Sequence, residues 1–157
     1  NAEYPAPIST TQVEKIKTQV IKLKIEDLVE FNCQYLEDSK SLALLSEADL
    51  IVFAYQQTGE SSSAAVRYGL ATKRPVAVSP LSIFDDISGA AFQLSGTDST
   101  SIASSITDIL SLLSSGSEEA REVLNVSDKW RKEFDYVAVS QRLYNICSAL
   151  LQQKYTR

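Results

Sequence analysis

The sequence contains no histidine and no methionine. Without histidine it lacks the commonest general base and the commonest metal ligand. No Cys-x-x-Cys pair and no carboxylate cluster at metal-binding spacing takes its place. If the chain belongs to an enzyme, its acid–base chemistry is expected to lie on another segment. Only two cysteines occur, Cys33 and Cys147, too few for a disulfide framework. They are read as two buried, reduced thiols, one on a strand and one on a late helix. No window approaches the roughly 20 apolar residues of a membrane span, and no signal-peptide core opens the chain. Positive charge is also short, with a net charge of −5, which argues against nucleic acid as a main partner. Lys15, Lys17, Lys22 and Lys24 cluster only at the spacing of a solvated helix face.

Two enzyme signatures are missing as well. There is no Gly-x-Gly-x-x-Gly fingerprint for a dinucleotide, and no Gly-x-Ser-x-Gly elbow around the serines. What remains is a chain of 157 residues, 44% apolar and 22% charged, the make-up of one globular domain with a proper core.

Its pattern alternates. Thr11 and Glu14 form a capping-box pair before Val13, Ile16, Val20, Ile21 and Leu23, so a first helix is predicted over residues 11–24. Residues 28–35 alternate loosely and read as a short strand. Asp38 or Ser39 is placed to cap a helix over 41–47, with Leu42, Leu44 and Leu45 facing inward. Residues 50–54 and 75–79 are continuous apolar runs, the mark of parallel strands covered on both faces. Between them a helix is predicted over 61–72, ended by Lys73, Arg74 and Pro75. A short strand over 91–94 follows a loop holding Asp85 and Asp86, which read as a cap or turn. From Asp98 onward the spacing is helical: one serine-rich helix with its serines outward, then helices over 117–130 and 136–152. The implied class is α/β, a doubly wound, mainly parallel sheet of about four or five strands with C-terminal helices, in a single domain over 1–157. Residues 50–54 and 75–79 are expected at its centre.

The βαβ unit from Ala48 to Phe84 carries the functional signal. Its turn brings Thr58, Gly59 and Glu60 to the carboxyl edge of a parallel sheet, before a helix that opens on Ser61, Ser62 and Ser63. Helical N–H groups and the helix dipole at such an edge favour an anion, and small hydroxylated residues let phosphate oxygens approach the backbone. Glu60 is equally at home there as an acidic first-turn residue, and the serines as cap material. Arg67 reads as a surface residue of that helix.

The segment EADLIVFAYQQTGESSSAAVRYGLATKRPVAVSPLSIFDDI resembles the donor-binding, C-terminal domain of bacterial GT-B glycosyltransferases of the group-one type. VEFNCQYLEDSKSLALLSEADL is similar to the strand, loop and helix leading into that motif, and KWRKEFDYVAVSQRLYNICSALL to the terminal helix. The resemblance implies a nucleotide-sugar-binding, Rossmann-like half of a longer two-domain or multidomain enzyme of cell-surface polysaccharide or other glycan synthesis. Such a half is expected to be inactive alone and to meet its glycan or lipid-linked acceptor through an N-terminal domain. Glu60 matches the first Glu of the family's paired glutamates, which hydrogen-bonds the donor sugar. Gly59 and Ser61 to Ser63 match the loop and helix start that meet sugar and diphosphate. Tyr35 and Leu36 match the loop against the base. Tyr68 stands where the second, ribose-binding Glu falls, and a phenol does not clasp a cis-diol as a carboxylate does. The family uses no bound metal, and the nucleotide sugar is substrate, not cofactor. A cytoplasmic location is implied, peripheral to the inner face of the membrane in the full-length protein. Two alternatives stay open: a Rossmann-like interaction module that has lost donor binding, and half of a nucleotide-sugar epimerase.

Overall fold

Val76, Ala77 and Val78 form the central strand of a three-stranded parallel sheet. The computed structural model describes residues 8–59 and 62–155. Among them the sheet order is β1 (Ile51–Phe53), β2 (Val76–Val78), β3 (Phe92–Gln93). Both pairings are parallel, with Val52 opposite Ala77 and Ala77 opposite Phe92. Because side chains alternate across a strand, this register sorts the sheet into two faces. Ile51, Val76 and Val78 lie on one, in a cluster with Val66 and Leu70 of helix α3 (Ala64–Ala71). Ala77 and Phe92 lie on the other, clustered with Ile109 of α4 (Ser99–Ser115). Helix α5 (Glu118–Glu133) reaches both clusters, Val126 and Trp130 packing on the first and Ala120 and Val123 on the second. The sheet is therefore doubly wound, and α6 (Tyr136–Tyr155) follows as the last helix.

Local chemistry sets the helix limits. Asp98 caps α4 by accepting the Thr100 and Ser101 amides at 3.0 Å, and Ser117 caps α5 through the Ala120 amide at 3.1 Å. Gly116 ends α4 in the left-handed conformation (φ 61°), which glycine adopts without the Cβ penalty. Lys73 takes that conformation after α3 (φ 65°) and Pro75 follows, its carbonyl accepting the Ile51 amide at 2.9 Å to start the β1–β2 ladder. Arg74 donates from Nε to the Ser46 carbonyl (2.6 Å), tying off helix α2 (Asp38–Ser46).

Several sequence-based expectations need correction. Residues 28–35 form no strand: a 3-10 turn (Glu26–Leu28) leads into irregular chain, and Leu28 is 83% exposed. The run over 50–54 is an edge strand of three residues, with Val52 and Phe53 only half covered, so it is neither central nor fully buried. The described sheet has three strands, not about four or five. Thr11 does not cap the first helix, since α1 runs from Ile8 to Leu23. Leu44 points outward, and Ser105 of α4 is buried because its Oγ accepts the Ser95 amide at 2.9 Å. Cys33 and Cys147 are unbridged as expected, but Cys33 is half-buried off any strand and Cys147 is exposed.

The chain divides into two compact units, Asn1–Ser41 and Leu42–Arg157. The first holds α1, which carries a Lys17–Glu14 ion pair and a buried Val20. The second holds the sheet and both apolar clusters.

Folding lowers the pKa of two carboxylates in this second unit, so a small part of its stability is expected to be lost in acid. Lys132 and Arg131, on the next turn of α5, hold Asp128 at about 2, well below its ordinary value of 3.8. The Ser101 hydroxyl and amide lower Asp98 in the same direction. A carboxylate depressed by folding stabilises the folded state above its unfolded pKa, and that contribution is lost as pH falls through the folded one. The thermal midpoint is thus expected to hold from neutral pH to about 4 and to fall between about 4 and 2. Asp128→Asn should make that fall shallower in a pH series of melting curves. An unchanged slope would contradict the assignment.

Candidate functional site

In a parallel sheet all strand ends of one kind share an edge. At the carboxyl edge here, β1 runs into residues 54–63, β2 into 79–87 and β3 into 94–98. Tyr55 leaves β1 with its ring 5.3 Å from that of Phe84 and 6.4 Å from that of Phe53. Its hydroxyl lies 3.2 Å from Oγ of Ser63. Ser63 is buried and caps α3, accepting the Val66 amide at 3.4 Å, a role that contributes about 1 kcal/mol in typical helices.

Thr58, Gly59, Ser62, Ser63 and Tyr68 all belong to this loop and helix. Thr58 is half-buried, Gly59 and Ser62 are exposed, and Tyr68 stands on the second turn of α3 with its side chain partly open to solvent. A Cβ added to Gly59 would meet nothing within 4 Å, so the backbone there is openly accessible. Glu60 and Ser61 lie outside the described residues. Tyr35 and Leu36 belong to the other compact unit, in the irregular stretch before α2, with Tyr35 exposed and Leu36 half-buried.

Sequence reasoning missed Arg67 and Asp86. Arg67 donates from Nη1 to the Ser63 carbonyl (2.8 Å), and its Nη2 pairs with Asp86 Oδ2. Asp86 sits in a 3-10 segment (Ser82–Ile87) of the β2–β3 connection, and its carbonyl accepts Nε1 of Trp130 at 3.3 Å. The partners are 19 residues apart, beyond the reach of any local pattern. No group of three or more potential metal ligands occurs among the described residues, and none of the described helices is long and apolar enough to cross a membrane.

The fold class defined by this arrangement is α/β, a Rossmann-like half of a GT-B fold. The chain is similar over 93% of its length to a glycosyltransferase from Rickettsia africae ESF-5, with a TM-score of 0.69, 18% identity and 37% of that chain covered. It is similar over 98% of its length to a sucrose-phosphate synthase from Thermosynechococcus elongatus, with a TM-score of 0.70, 17% identity and 38% of that chain covered. The chain thus spans less than half the length of either. At these identities the likeness is one of fold. No protein-family profile and no curated protein sequence matches the chain.

Proposed function

We propose that this chain is the donor-binding part of a glycosyltransferase, taking a nucleotide sugar at the carboxyl edge of its sheet. The observation that carries the reading is the loop over 55–63, which joins the end of β1 to the N-terminus of α3 in a fold shared with part of two sugar-transferring enzymes. Free N–H groups at a helix start favour a diphosphate, and charge building on a nucleotide leaving group is stabilised by such preorganised donors. In this reading Gly59 and Ser61 to Ser63 face the diphosphate and sugar, and Glu60 accepts a hydrogen bond from a sugar hydroxyl. Thr58 and Tyr68 border the same loop, with Tyr68 donating toward the ribose. The acceptor, a glycan or lipid-linked sugar of cell-surface polysaccharide synthesis, is met by another part of the protein. No metal or cofactor enters the scheme. The location is cytoplasmic, against the inner face of the membrane.

One observation favours a second reading, a Rossmann-like interaction module. Arg67, the cation nearest the loop in sequence, is engaged by Asp86 and the Ser63 carbonyl instead of being turned to a phosphate. Calorimetric titration of the full-length protein with UDP-glucose, GDP-mannose and ADP-glucose separates the two, the module binding none. A hydrogen bond to a charged group is worth about 1.5–3 kcal/mol, so Glu60→Ala should lower transfer on the order of 10- to 100-fold with the fold intact by circular dichroism. Unchanged transfer would remove Glu60 from the site.

A further inference from the structure

Both ends of the loop over 55–63 are fastened to one short segment. At the start, the Tyr55 ring rests on Phe84. At the finish, the Ser63 carbonyl accepts Nη1 of Arg67, whose Nη2 pairs with Asp86. Phe84 and Asp86 are two residues apart in the same 3-10 segment, and Trp130 of α5 holds that segment through the Asp86 carbonyl. The two loop ends also meet each other through the Tyr55 and Ser63 hydroxyls.

We propose that Arg67 and Asp86 are positioning residues that set the conformation of this loop, acting on a ligand only through it; their link to donor binding rests on the reading given above. The exposure of the pair argues for this role. Both side chains are about two-fifths open to solvent, 41% and 38%, and ion pairs in that setting add little to global stability. What the pair does add is a polar tie from the finish of the loop to the 3-10 segment, beside the apolar Tyr55–Phe84 contact at its start. A fastening of that kind governs local opening rather than global unfolding. Arginine suits it, since its rigid planar fork holds a carbonyl and a carboxylate at fixed positions, whereas an ammonium on a flexible stem does not fix them.

The test is hydrogen exchange on the full-length protein, read at the amides of residues 56–59 and 62, beside urea midpoints and binding of UDP-glucose, GDP-mannose and ADP-glucose. Arg67→Gln and Asp86→Asn should each speed exchange of those amides by roughly tenfold or more while β2 and α3 keep their protection. The urea midpoint should stay where it is. The double variant should match either single one, because the pair acts as a unit, and Asp86→Glu should restore wild-type exchange. Binding of whichever probe the wild type takes should weaken by about 3- to 10-fold in the single variants, as a loosened loop must be ordered again on binding. Exchange unchanged in both variants would overturn the proposal, as would a rise spread over β2 and α3 with a lowered midpoint. If the wild type binds none of the three probes, the donor-binding reading fails, while the exchange measurements still decide the positioning role.

Discussion

Replacing Leu70 by Ala is expected to lower the free energy of unfolding by about 2–5 kcal/mol, toward the upper end of that range. Leu70 is fully buried on the face of α3 that meets the sheet, clustered with Ile51, Val66, Val76 and Val78. Truncation removes the transfer energy of its methyl and methylene groups and leaves a cavity that the surroundings fill only in part. Relaxation is restricted here because β2 is hydrogen-bonded on both sides and wholly buried. Against a total stability of about 5–15 kcal/mol this is a large fraction. Leu110→Ala on α4, a side chain 40% exposed, serves as the control and should change stability by less than about 0.5 kcal/mol. Urea denaturation of both variants reads the difference as a shift in midpoint at constant slope. A loss below about 1 kcal/mol for Leu70→Ala would mean that α3 is not held to the sheet as described.

That core was largely legible in the sequence. The residues of β2 form a continuous apolar run, and a strand buried on both faces must look that way. The spacing of Ile102, Ile106, Ile109, Leu110 and Leu113 marks α4 as plainly, although Leu110 stays 40% exposed. The misreadings share a physical cause, which is that pattern does not report partners. Residues 50–54 carry the same apolar signature as β2, yet among the described residues only one side of β1 is paired, and Val52 and Phe53 stay half covered. Leu28, Glu30, Phe31 and Cys33 alternate only loosely, and no described strand pairs with them. Ser105 looked like a surface serine because its partner, the Ser95 amide, is fixed only by the return of the chain from β3.

The candidate site was legible in place and not in wiring. The turn between β1 and α3, its glycine and its cap could be read from residue types, since Ser63 is a cap by chemistry and Gly59 a turn residue by conformational freedom. The bridge from Arg67 to Asp86 could not. Each residue has a plain local reading, surface arginine and turn aspartate, and only the parallel crossover from β1 to β2 brings them together.

The same crossover sets the second large effect, at Gly69. This glycine lies buried on α3, and a Cβ built there would stand 3.0 Å from Cε2 of Phe53 and 3.3 Å from Cγ2 of Val76. Gly69→Ala therefore sets two effects against each other. The helix gains about 0.5–1 kcal/mol from the better former, while the Phe53 ring must shift by a few tenths of an ångström. Phe53 belongs to an edge strand and is half covered, so it has room to move; the net change should stay within about 1 kcal/mol of zero. Gly69→Val adds two methyl groups on a β-branched carbon, and Val76 on the central strand has no such freedom. The helix is then pushed from the sheet at a cost of about 1–3 kcal/mol from overpacking, increased by the poorer helix propensity of valine relative to alanine. Phe53→Leu should recover part of this loss, because it removes ring atoms at the point of contact. A double-mutant cycle by urea denaturation ought to give a coupling of about 0.5–3 kcal/mol. Additivity between Gly69→Val and Phe53→Leu would show that the two residues do not share the contact that joins α3 to β1.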